Sequence, residues 1–148
     1  MMLVNPAANV PIVQVSVLDS EDPKQHYLMG RALGALRAKN IAIIGSGFQS
    51  FHNLRLLFSP AVQAPGFREQ NDEWNNAVTK AASTEDAELR MKAFEEWRSW
   101  PGSYTMHPRG GADHFLPLIV AAGAAGNQKA KMYSDEFMGM RMWSYYWD

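Results

Sequence analysis

The chain has 148 residues, 47% of them hydrophobic, which fits one folded domain with a real core rather than a disordered chain. A formal net charge of -1 implies no polyanion partner, so nucleic acid is set aside. The absence of cysteine excludes disulfides, thiolate metal sites and cysteine nucleophiles, and it suits a reducing, cytoplasmic setting.

The opening Met1-Met2-Leu3-Val4-Asn5-Pro6 lacks the basic and long apolar regions of a secretory leader. Residues 11–17, rich in valine and isoleucine, predict a strand. A polar turn follows, in which Ser20 or Asp22 caps a helix with Pro23 at its first position. Residues 24–38 show helical spacing, with Tyr27, Leu28, Ala32, Ala35 and Leu36 on one side. Asn40 stands where a helix ends. Residues 41–44 predict a second, buried strand. Strand, helix and strand in this order predict a βαβ unit with a parallel pair.

Gly45-Ser46-Gly47 closes that strand with small residues that permit a tight turn. His52 follows at the start of a short helix or turn over residues 52–58. A histidine just past a strand end is suited to acid–base work, because imidazole titrates near neutral pH and ligands of open α/β sheets bind there. The alternative is a capping or packing histidine. Residues 67–82 and 84–97 predict two amphipathic helices. Glu69, Asp72, Lys80, Glu88 and Arg90 read as solvated charges, and Trp74, Val78, Leu89, Phe94 and Trp97 as core.

Met106-His107-Pro108-Arg109-Gly110-Gly111-Ala112-Asp113-His114 is a glycine-rich loop running into an apolar helix. Polar, mobile residues beside an apolar element are what a site loop needs. His114 is expected at the helix start, either working in the site or capping the helix. His107 reads as a surface loop residue, and Arg109 pairs with Asp113 or with a carboxylate outside the chain. The apolar run over residues 115–125 is broken by Pro117 and Gly123 and is too short to span a bilayer, so no membrane is expected. The aromatic tail, residues 131–148, reads as a final strand pair on the core.

His52-Asn53-Leu54 after Gly45-Ser46-Gly47, then His114-Phe115-Leu116-Pro117-Leu118 before an alanine- and glycine-rich helix, resemble the second half of class III extradiol ring-cleavage dioxygenases. That group includes the protocatechuate 4,5-dioxygenase beta chain and the DOPA extradiol dioxygenases. The strand over residues 11–17 and the helix carrying Gly30-Arg31-Ala32-Leu33 also fit the DOPA-dioxygenase-like branch. The resemblance implies an α/β fold, with a mixed, largely parallel sheet flanked by helices, and makes residues 1–148 a single partial domain.

It further implies a non-haem Fe(II) or Zn(II), a catechol-type substrate and O2. By the same resemblance His114 supplies a metal ligand. His52 is the acid–base catalyst, close enough to the metal to count as a ligand in the DOPA-like branch, and His107 or Arg109 contacts a substrate carboxylate. Family members are longer and carry two further metal-binding histidines in an N-terminal half that has no counterpart here. Asp113 and Asp19 are oxygen donors, but a facial triad needs three protein ligands. The isolated chain is therefore expected to bind metal weakly and to be nearly inactive. A partner chain or homo-oligomer is expected to cover its exposed sheet edge.

Two other readings compete. One is a non-catalytic interaction or regulatory remnant of the same fold. The other is a nucleotide-binding module built on Gly45-Ser46-Gly47, which lacks both the third fingerprint glycine and a P-loop lysine. Convergence of His52 and His114 favours the enzyme, and their separation favours the remnant.

Overall fold

Asp22 accepts a hydrogen bond from the Gln25 amide and Pro23 fills the first turn, so α1 (Pro23–Gly34) begins at the expected cap. The computed structural model describes residues 6, 7 and 9–148. In it α1 tightens into a 3-10 turn, Ala35–Lys39, and stops at Asn40 in the left-handed conformation, φ 59°. There follow α2 (Leu54–Leu57), α3 (Pro65–Ala82), α4 (Ala87–Glu95), α5 (Ser103–Met106) and α6 (Leu116–Ala124), with 3-10 turns at Pro60–Gln63 and Trp97–Ser99. The chain ends in an antiparallel hairpin of β1 (Lys131–Phe137) and β2 (Met140–Tyr146). Met138 and Gly139 both have positive φ, the geometry a two-residue hairpin turn needs. No helix among the described residues is long and apolar enough to cross a membrane.

The core gathers around α6, whose Leu116, Ile119 and Ala122 are buried. Trp74 of α3, Phe94 of α4 and Trp97 close on Phe115, which precedes α6, and all four side chains are fully buried. α1 meets α6 backbone to backbone. A Cβ added at Gly30 would lie 1.9 Å from the Val120 carbonyl oxygen, so the two helices approach only because no side chain intervenes. Gly30→Ala is therefore expected to force the helices apart and cost about 1–3 kcal/mol or more, read as a lowered denaturant midpoint. An unchanged midpoint would show that the helices separate without loss.

The mixed α/β class stands, but the parallel pair does not form. Among the described residues the sheet consists of β1 and β2, antiparallel. Residues 11–17 and 41–44 belong to no helix or ladder, and Val13 is 86% and Ile44 70% exposed. Apolar β-branched residues favour an extended backbone locally, but a strand also requires a neighbour to receive its hydrogen bonds and cover its faces.

Three packing expectations also change. Leu89 is exposed, because α4 turns it outward while Phe94 points in. Tyr27 of the expected face is buried, but Leu28 beside it is exposed, since α1 turns His26 and Gly30 inward with Tyr27. Arg90, expected in solvent, is wholly buried. Its guanidinium donates to the Thr84, Glu85 and Gln128 carbonyls through Nη1 and to Ala122 and Gly126 through Nη2. It thereby satisfies carbonyls at the end of α6 and in the loop that leaves it.

Candidate active site

The turn expected at Gly45-Ser46-Gly47 presses against the start of α6. A Cβ at Gly47 would stand 2.3 Å from the His114 carbonyl oxygen, and this close approach delivers the following residues to the His114 loop. Residues 49–53 are then fixed by side chains from elsewhere. The Gln49 carbonyl accepts from Trp74 Nε1 at 2.9 Å and from His107 Nε2 at 3.0 Å. The Ser50 carbonyl accepts from Asn71 Nδ2 at 2.9 Å. The His52 amide donates to the Met106 carbonyl at 3.0 Å, and Asn53 Nδ2 to Thr105 at 2.8 Å. Asn53 also caps α2 through the Leu56 amide.

These ties bring His52 and His114 together. Their rings stack with centroids 3.6 Å apart and planes at 24°, and Phe48 stacks on both, at 6.3 Å and 5.6 Å. His114 lies in the turn before α6 rather than at its first residue, since Phe115 is the N-cap. Its Nδ1 is buried without a partner, and its Nε2 is 3.7 Å from Asp113 Oδ2, too long for a hydrogen bond. Burial lowers the His52 pKa, the neighbouring His114 lowers it further, and Asp113 opposes them. His52 is thus held neutral at physiological pH, free to accept a proton.

His52 opens onto a cleft of about 620 Å³ whose rim includes Arg55, Tyr104, Arg109 and Asp113. Arg109 lines this cleft and does not pair with Asp113. Its guanidinium lies over the Tyr104 ring and donates to the Tyr104 hydroxyl at 3.2 Å. Arg98 and Glu21, which no motif singled out, strap the loop in place. Arg98 lies over the Trp97 and Tyr104 rings, binds Glu21 and donates to the His107 and Pro108 carbonyls, while Glu21 accepts from the Gly110 amide. Arg55 is adjacent to the His52-Asn53-Leu54 motif, the one sequence signal that could have marked it.

Two histidines sit apart from the stacked pair. His26 packs, with Nδ1–H donating to the Asp22 carbonyl at 2.7 Å and Nε2 accepting from the Leu18 amide at 3.1 Å. His107, expected on the surface, is wholly buried between Trp74 and Phe115, because the loop folds its apolar neighbours inward and takes the ring along. Burial pushes its pKa down to about 4. The unfolded value is near 6.5, so the folded state resists protonation. Stability from this group is complete above pH 6.5 and is lost as pH falls towards 4, by about 3 kcal/mol in all. Melting measured between pH 7 and 4 should fall more steeply for the parent than for His107→Gln, and parallel curves would contradict the assignment.

As a metal site the residues form an incomplete set. No group of three or more potential ligands clusters among the described residues, and Asp19 lies in the exposed turn before α1. What the chain supplies is a pair of imidazoles, one with an orphaned buried nitrogen. His114 and His52 would be the imidazoles this chain offers a metal ion, whose remaining ligands are not found among the described residues.

Sequence comparison supplies the family. The chain belongs to the family described as the catalytic LigB subunit of aromatic ring-opening dioxygenase, whose model matches residues 1–145. It is 49% identical over 155 residues to "Dioxygenase tasH" of Hapsidospora irregularis, covering 99% of this chain and 47% of that protein. It is 33% identical over 133 residues to "4,5-DOPA dioxygenase extradiol" of Mirabilis jalapa, covering 89% and 46%. For the protein of the same description from Escherichia coli the identity is 30% over 129 residues, covering 84% and 44%. The chain spans about half the length of the curated relatives it matches.

Proposed function

We propose that this chain forms the His52- and His114-bearing part of a metal-dependent extradiol dioxygenase that opens catechol-type rings with O2. The observation that carries the reading is the stacking of the two imidazoles at 3.6 Å beside an open cleft, in a chain of this family. His114 is the ligand to Fe(II) or Zn(II), with the remaining ligands supplied from outside this chain. The bound ion would bring the catechol oxygens and O2 together. His52, neutral and at the side of the cleft, takes the proton of a catechol hydroxyl and returns it as the ring opens. Both oxygen atoms of O2 enter the product as the carbon–carbon bond beside the diol breaks.

Arg55 and Arg109 face the cleft and pair with no carboxylate among the described residues, which suits a substrate carrying an anionic group. The Asp113 carboxylate beside them limits that charge preference. The exposed, β-branched segments 11–17 and 41–44 have the composition to pair with strands from the rest of the family's length, joined or separate, or from a second copy of this chain. A second reading, a non-catalytic interaction or regulatory part of the same fold, suits a chain with fewer than three clustered ligands among the described residues.

Supplied alone with Fe(II), DOPA and O2, the chain is expected to give almost no yellow ring-opened product. Joined to a matching remaining half from a relative, or mixed with it, it should give that product. A completed protein that binds metal and catechol yet opens no ring would decide for the non-catalytic reading.

A further inference from the structure

His107 belongs neither to the cleft nor to the stacked pair, yet it touches the supports of both. Its Nε2 lies 3.0 Å from the Gln49 carbonyl, three residues before His52. A carbonyl only accepts, so Nε2 carries the proton. The ring centroid is 5.2 Å from that of Phe115, the residue after His114, and 5.4 Å from that of Trp74, whose own N–H donates to the same carbonyl. The side chain is 0% exposed and its Nδ1 has no partner. A buried polar atom without a partner carries a desolvation penalty that leucine or phenylalanine would avoid, so packing alone selects against histidine at this position. What the imidazole adds over an apolar side chain is one N–H aimed at Gln49.

We propose that His107 is a positioning residue, whose Nε2–H and ring faces hold the His52 segment and the His114 segment at the separation that stacks their imidazoles. The proposal rests on reading His52 and His114 as the working pair, but its test does not require ring opening. Burial, reinforced by the positive charge of Arg98, keeps the ring neutral over the physiological range, so the N–H stays on Nε2 and the other nitrogen stays bare. Trp74 donates to the same Gln49 carbonyl through its own N–H, a bond that does not depend on the imidazole. Loss of the imidazole therefore loosens the segment without releasing it.

The experiment uses the 15N-labelled chain at neutral pH. Long-range proton–nitrogen spectra should find His107 protonated at Nε2 alone, and a through-space signal should connect the His52 and His114 rings. His107→Leu is expected to lose that signal. His107→Gln, whose amide nitrogen reaches the Nε2 position, is expected to keep it. Persistence of the signal in the leucine variant, or its loss in both variants, would overturn the proposal. Should the leucine variant fail to fold, His107→Asn takes its place, since asparagine is polar but too short to reach Gln49, and the same two outcomes apply. In a completed enzyme, His107→Leu should lower kcat with little change in KM, and His107→Gln should recover it. If no ring opening is found in any form, the spectra still decide the role of His107, so this inference and the enzymatic reading fail separately.

Discussion

Replacing His52 by alanine in a completed enzyme should slow ring opening by about 10²–10⁴-fold while the metal stays bound. The expectation follows from geometry and charge together. Burial and the adjacent His114 lower the His52 pKa, so the group arrives at neutral pH as a base. It lines the cleft, where a substrate hydroxyl can reach it. His114→Ala should act differently. Its buried Nδ1 is an unpartnered nitrogen, and removing it should empty the site of metal and abolish turnover. Metal content by mass spectrometry and turnover by absorbance separate the two. Release of metal by His52→Ala would make His52 a ligand and reverse the division of roles. Retention of metal and activity in both variants would remove the pair from the chemistry.

Arg90→Met should be the most damaging single change to the fold, at about 4 kcal/mol. Five carbonyls converge on this guanidinium, and no carboxylate is among its hydrogen-bond partners. A methionine fills the volume but withdraws a donor from all five carbonyls, of which Ala122 and Gly126 keep a backbone donor. Domains of this size are stable by roughly 5–15 kcal/mol, so the loss is a large fraction of the whole. Arg90→Lys should recover little, because one ammonium cannot span the set that a planar fork reaches. Chemical denaturation measures this, with the exposed Lys92→Met as the reference. Equal midpoints for Arg90→Met and Lys92→Met would show that water replaces the lost bonds.

What the sequence made legible was local. Asp22 with Pro23 announces the start of α1, Asn40 its end, and the spacing through Trp74 and Val78 the inward face of α3. The two histidine motifs could be read because each pairs a chemical residue with a recognisable turn. Their distance could not be read, since it depends on the Gly47 approach to the His114 carbonyl and on bonds to Gln49 from residues far along the chain. Arg90 and His107 were misjudged for a common reason. Both residue types are usually exposed or half-exposed, and only the carbonyl cage around one and the aromatic walls around the other reverse that preference. Residues 11–17 and 41–44 carry true strand composition, but pairing is a property of a neighbour and not of the segment.

The bonds that seat residues 49–53 also govern the order in which the molecule acquires its parts. The ties to Gln49, to the Ser50 carbonyl and to the His52 amide come from residues 71–107, and the Trp143 amide of β2 adds one to Ser50 Oγ. Such distant closures form late, because the intervening loops lose entropy before any contact rewards them. The His52 amide proton, bonded to the Met106 carbonyl, therefore becomes protected only after α3 and α5 have docked. In the native protein its exchange with solvent deuterium should require global opening rather than local fraying, which makes this one amide a clock for unfolding of the whole chain.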